Sequence, residues 1–311
     1  MNSIKKLFLI AICMVSSLAL YAHGGGDYEH IDFFKDMKEA DKAAVLMVHF
    51  GTTHNDTREK TIDAINLKVK EQFTNCDFYE AYTSRIIIKR LNERGIKKQN
   101  PLQVLTQLQK EGYTHILIQP TTIINGVEME SLRRNVLDIQ DQFKDIRIGN
   151  PLLYEPEDYS NLIEIITKDI RKDQAFIFVG HGTSDPTTAQ YAMMDYMLKA
   201  KGHDNCIIGT IEGYPSFDDA LNQLKASPYK KVTLIPLMFV AGDHAKNDIA
   251  GDWKEDLEKE GYQVDVRVQG LGENPQIQNL YVKHLQFITT HKKRDIIDKK
   301  AVYEVTGEVM H

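Results

Sequence analysis

Cysteine is scarce, with three in 311 residues, and no C-x-x-C motif is present. Cys13 lies in an apolar N-terminal run, which leaves Cys76 and Cys206 in the rest of the chain. Each opens an expected strand in a different half, so they read as two buried free thiols rather than a disulfide. Basic tracts are equally lacking. The formal net charge is −6, and clusters such as Arg133-Arg134 and Lys292-Lys293-Arg294 are too short to track a phosphate backbone, which argues against a nucleic-acid partner. No apolar run has the length and flanks of a transmembrane helix. The glycine loops lack the lysine of a P-loop and the third glycine of a dinucleotide fingerprint, and no G-x-S-x-G elbow exists. Nucleotide and serine-hydrolase chemistry therefore have no signature here.

The composition, 42% hydrophobic and 26% charged, is that of a globular protein with room for two modest domains. Lys5 and Lys6 precede an apolar run over residues 7–22, which suits a secretory leader cleaved after Ala22. Removing those two lysine charges takes the net charge from −6 to −8. Cys13 has Ile12 before it where a lipoprotein signal wants a small residue, which speaks against lipidation. The expectation is an exported, periplasmic protein with a signal peptide over 1–22 and a lead-in over 23–42. The start of that lead-in, with His23, Asp27, Glu29 and His30, reads as a solvated arm.

The rest is organised around residues 175–186. The unbroken apolar run 175–179 reads as a strand covered on both faces. Gly180-His181-Gly182 follows as a tight loop, with Asp185 and Pro186 as a helix start. His181 is thus offered at a strand's C-terminal end, where open α/β sheets bind ligands. The format recurs where residues 206–211 run into Glu212-Gly213-Tyr214-Pro215, and where 231–240 run into Ala241-Gly242-Asp243-His244. On neighbouring parallel strands, His181, Glu212 and His244 would surround one opening. Two imidazoles and a carboxylate are a metal-ligand set.

Further strands are expected over 43–50, 76–83, 115–120, 146–153 and 264–268, separated by helices. The pattern repeats with a period of about 120–130 residues, longer than a solenoid repeat. It predicts an α/β fold of two similar parallel-sheet lobes, 43–155 and 156–290, with a cleft between them and the metal site on the second. A charged tail, 291–311, is expected to fray. Aligning the copies sets Phe50 against His181 and Glu128 against His244. The first lobe would then supply a wall from Thr52, Thr53, Tyr82, Arg85, Glu128 and Glu130, with His54 also in its first loop. His49, His115, His203, His284 and His291 have no partner pattern and read as core or surface.

Six stretches carry a family resemblance: HFGTTHNDTREKTIDAI (49–65), EAYTSRIIIKRL (80–91), QPTTIINGVEME (119–130), VGHGTSDP (179–186), GTIEGYPSFDDAL (209–221) and IPLMFVAGDHAKNDIAGD (235–252). Over about 43–284 the chain resembles the anaerobic (class II) sirohydrochlorin cobaltochelatases, relatives of ferrochelatase. The resemblance implies a tetrapyrrole cleft and a metal held by His181, Glu212 and His244, with His181 and Glu212 catalytic and Thr52, Tyr82, Arg85 and Glu128 on the substrate side. It implies a lyase that inserts a divalent metal, Co²⁺ with Fe²⁺ or Ni²⁺ as alternatives, into sirohydrochlorin or a similar porphyrin-like ring, and a homo-oligomer. The cobalamin-synthesising members work in the cytoplasm, whereas this chain carries an export signal. The match thus bears on chelatase chemistry more than on cobalamin biosynthesis. Two readings stay open beside insertion: a periplasmic heme- or metal-binding carrier on the same fold, and removal of metal from a ring by the same ligands.

Overall fold

The structure is a computed structural model that describes residues 28–243 and 245–307. The expected signal peptide, Cys13, the arm residues 23–27 and His244 lie outside the described residues. The chain divides into two units.

In the smaller unit, residues 28–35 and 289–307, β1 (Tyr28–His30) pairs antiparallel with His291–Lys293. Arg294 forms an ion pair with Glu29 at 2.6 Å. A helix follows over Ile296–Thr306. Its first turn is capped by the Asp295 side chain, which accepts from the Ile297 amide, and it stops at Gly307 in the left-handed conformation. The expectation that the tail frays from residue 291 is therefore corrected. Strand pairing over 291–293 and a capped helix over 296–306 satisfy the backbone of a segment that composition alone marks as loose.

The larger unit, residues 36–288, holds two sheets. β2 (Ala43–His49), β3 (Asp77–Tyr82), β4 (His115–Pro120) and β5 (Asp145–Ile148) form a parallel sheet in the order β3-β2-β4-β5. β6 (Ala175–Gly182), β7 (Cys206–Glu212), β8 (Lys231–Pro236) and β9 (Gln263–Val266) repeat it in the order β7-β6-β8-β9. The α/β fold with two similar parallel-sheet lobes is as the sequence predicts. Every residue of β2 and β4 is buried, the polar His49, His115 and Gln119 included, as expected for strands covered on both faces. Leu46, Leu105, Ile116 and Leu132 centre the first core, and Ile177, Leu224, Leu234 and Trp253 the second.

Local chemistry fixes the helices around these sheets. The helix Pro101–Lys110 opens with a reciprocal box between Asn100 and Gln103 and buries Val104, Leu105 and Leu108 on one face. Ser216 and Asp219 do the same for the helix Phe217–Lys225. The duplication extends to single hydrogen bonds. The Thr121 amide donates to Val48 O at 2.9 Å, and the equivalent Leu237 amide donates to Val179 O at 2.8 Å.

Three elements depart from the sequence expectation. β8 stops at Pro236, so the apolar residues 237–240 leave the sheet. The helix after position 244 starts as a wide π-type run over Ala245–Trp253 before Lys254–Lys259 becomes α-helical. Over 32–41, expected as a short helix or lead-in, the chain forms turns.

Candidate functional site

The glycine loop at the end of β6 is built by close approach. Gly182 has φ of +80°, and a Cβ there would lie 1.5 Å from the Glu212 carbonyl oxygen. Only glycine permits that approach at that dihedral. Gly182 is the register partner of Glu212 across β6 and β7, so the contact draws together the two strand ends that carry His181 and Glu212. Gly213 repeats the device with φ of +92°, where a Cβ would meet Thr183 O at 2.2 Å. Past the loop, Asp185 accepts from the Thr187 amide at 2.9 Å and from its hydroxyl at 2.7 Å. Beneath the loop, the Tyr191 ring fills the space against Gly180, and burial pushes its phenol up to about 12. His181 is half-buried and Glu212 is exposed. His181 Nδ1 lies 3.2 Å from Gly182 O. As a donor in that contact, Nδ1 carries the proton and Nε2 the lone pair that a metal needs.

Both side chains open onto a cavity of about 610 Å³ between the two lobes, within the usual range for small-molecule sites. Thr52, Thr53, His54 and Glu128 of the first lobe also line it. His244 would follow Asp243, which lines the cavity, but its side chain is not described. Among the described residues, no group of three or more His, Cys, Asp or Glu is arranged to hold a metal; of the expected ligands, His181 and Glu212 both line the cavity.

Three expected wall residues are corrected. Tyr82 is fully buried and does not line the cavity. Its ring packs under Gly51, where a Cβ would lie 2.5 Å from it. Arg85 begins the helix Arg85–Glu93 and is exposed outside the lining. Glu130 is also outside, paired with Arg134 at 2.8 Å on the helix surface. The register gives the reason for Tyr82. It pairs with His49, so two residues further on Ser84 stands opposite Gly51, the equivalent of Gly182. Ser84 thus occupies the place of Glu212 in the first copy, and it lines the cavity.

Sequence reasoning missed the apolar wall. Phe50, Ile86 and Val127 line the cavity while remaining 41%, 65% and 55% exposed. Large apolar side chains left open beside a cavity mark a ligand surface. Residues 237–240 face them from the second lobe, which accounts for their leaving β8. At the rim, Asp243 ties the lobes together. It bonds His54 Nε2 at 2.7 Å and Arg90 at 3.3 Å, and Lys246 approaches His54 Nδ1 at 3.3 Å.

A polar line runs behind the floor. Thr121 lines the cavity, and its hydroxyl lies 3.0 Å from His49 Nδ1. His49 Nε2 meets Asn66 Oδ1 at 2.9 Å, and Asn66 Nδ2 donates to Glu80 Oε2 at 3.0 Å. Glu80 is paired with Lys98. Burial pulls the His49 ring down to about 4. This histidine, read from the sequence as core or surface, is indeed buried, stacked on Phe239 at 6.2 Å between ring centres.

Residues 43–290 match the sequence model of the Cobalt chelatase (CbiK) family. The chain belongs to the cobalt chelatase family. Sirohydrochlorin cobaltochelatase of Salmonella typhimurium (strain LT2) is 37% identical over 252 residues, covering 78% of this chain and 95% of that one. Sirohydrochlorin cobaltochelatase CbiKC of Nitratidesulfovibrio vulgaris (strain Hildenborough) is 29% identical over 259 residues, covering 78% and 89%. Among solved structures, Bacillus subtilis SirB with Fe³⁺ superposes with a TM-score of 0.57 at 14% identity, over 86% of this chain and 99% of that one. The sirohydrochlorin chelatase SirB of Bacillus subtilis subspecies spizizenii, in complex with cobalt, superposes with a TM-score of 0.55 at 15% identity, over 80% and 95%. At such identities, these two structures speak for the fold of this cobalt chelatase family member alone.

Proposed function

We propose that this chain is a lyase that inserts a divalent metal, Co²⁺ first, into sirohydrochlorin or a closely similar tetrapyrrole. The observation that carries the reading is that His181 and Glu212, at the ends of adjacent strands, line one cavity whose other wall is apolar and open. The apolar wall suits the flat face of a macrocycle. The imidazole suits a borderline-soft cation that must be held and then released. His181, with His244 as the second imidazole of the sequence motif, presents the metal as a substrate. Ring and ion share one cavity, so their encounter is effectively intramolecular. Metal entry displaces two pyrrole protons. Glu212, exposed at the cavity edge, is placed to ligate the ion and to take a proton. The rim cations Arg90 and Lys246 suit the carboxylates that such a ring carries.

Fe²⁺ and Ni²⁺ are the competing metals of this proposal. The leader-like segment 1–22 supports a periplasmic setting for this chemistry, in cobalamin synthesis or in heme or metal handling. The test is anaerobic: metal-free sirohydrochlorin with excess Co²⁺, Fe²⁺ or Ni²⁺, followed by absorbance against a protein-free control. Many turnovers per chain support the chelatase. A rate equal to the control with ring or metal held stoichiometrically overturns it in favour of a carrier.

A further inference from the structure

The polar line behind the cavity floor has a fixed direction. Glu80, paired with Lys98, is a carboxylate and only accepts hydrogen bonds. Asn66 must therefore turn its amide nitrogen to Glu80 and its carbonyl oxygen to His49. A carbonyl oxygen only accepts, so the proton of the imidazole sits on Nε2. Nδ1 of the neutral ring is left as an acceptor facing Thr121. The threonine hydroxyl has a single proton. His49 Nδ1 takes it at 3.0 Å, whereas the other nearby acceptor, Val48 O, lies at 3.4 Å. Burial of the ring keeps it neutral well below neutral pH, so the direction holds across the working range.

We infer that Thr121 presents an acceptor-only hydroxyl to the cavity, set by the His49–Asn66–Glu80 line, and that it recognises the pyrrole N–H groups that only a metal-free ring carries. The inference rests on the ring-chelatase reading above. A metal-free macrocycle brings two N–H donors to a stretch of lining that Thr121 shares with Thr122, Ile123 and Phe239. Metal insertion removes both protons, and the product has nothing to donate. The hydroxyl thus favours substrate over product at the ring itself. Thr121 is the group that contacts the ring; His49, Asn66 and Glu80 are positioning residues that hold its proton away from the cavity.

Two measurements test this. Two-bond ¹H–¹⁵N correlation spectra of the native protein at neutral pH report the His49 tautomer, assigned with His49→Gln. The Nε2–H form is expected, and the Nδ1–H form or a cationic ring overturns the inference. Anaerobic absorbance titrations then compare metal-free sirohydrochlorin with its cobalt complex, on native protein, Thr121→Val and Thr121→Ser. Thr121→Val is expected to weaken the metal-free ring about fivefold, the loss of one neutral hydrogen bond. It should leave the cobalt complex unchanged, and Thr121→Ser should restore the difference. Equal changes for both rings, or none, overturn the inference and leave the chelatase reading standing. Failure of the metal-free ring to bind the native protein overturns that reading and the inference with it. If Thr121→Val does not fold, the tautomer of the native protein still decides.

Discussion

Gly182→Ala perturbs the site at its tightest point. The dihedral alone, φ +80°, costs an L residue about 1–2 kcal/mol. The new Cβ would lie 1.5 Å from the Glu212 carbonyl oxygen, 2.6 Å from its carbonyl carbon and 2.8 Å from the Thr210 Cβ. Backbone cannot swing aside as a side chain does, so β6 and β7 must part by roughly 2 Å to reach ordinary van der Waals separation. The total comes to about 3–5 kcal/mol. Gly202→Ala is the matched control, because Gly202 has the same φ of +80° with no atom within 4 Å of its Cβ position. It should cost only the dihedral term, about 1 kcal/mol. Urea unfolding midpoints separate the two. In metal insertion, Gly182→Ala should lose about 100-fold or more, since it displaces His181 and Glu212 from each other. Equal midpoints for the two variants, or an active Gly182→Ala, would refute the claim that this contact builds the site.

Other consequences can be checked as directly. The His49 ring is neutral when folded, with its pKa lowered from 6.5 to about 4. The unfolded chain therefore binds the extra proton first as pH falls. Stability should drop by about 3 kcal/mol between pH 7 and pH 4 from this group alone. Thermal melts of His49→Gln should lose that part of the slope, and an unchanged slope would contradict it. Tyr281→Phe removes hydroxyl bonds to Thr121 O and Thr122 O at 3.1 and 3.2 Å and should cost about 1–2 kcal/mol in urea unfolding. Cys76 and Cys206 are both free thiols, so a reductant should leave the Tm unchanged. A fall on reduction would show a disulfide.

The fold was legible because its strands are covered on both faces. β4 was read to the residue, since its apolar centre 116–118 is unbroken and Pro120 ends the run. The same signal misled at residues 237–240. They line the cavity and also pack into the core, and hydrophobicity does not distinguish a sheet neighbour from a ligand wall. His181 and Glu212 were legible because glycine must flank a side chain held at such a close backbone approach. Tyr82 was misjudged because position at a strand end does not give register; a shift of two residues separates a core tyrosine from the cavity-lining Ser84. The apolar wall was invisible for a different reason. Phe50, Ile86 and Val127 come from three loops and helix starts that only the tertiary fold assembles. The His49 line joins residues from four separate elements, and none of its members carries a local pattern.

The central claim is that His181 and Glu212 perform metal insertion rather than merely line a ring-binding cavity. The measurement that tests it most directly is the single-turnover rate of Co²⁺ insertion into bound sirohydrochlorin, for native protein, His181→Ala and Glu212→Gln, with ring affinity measured alongside. The account predicts insertion at least about 100-fold slower in both variants, with metal-free ring affinity unchanged. Native insertion rates in either variant would contradict it.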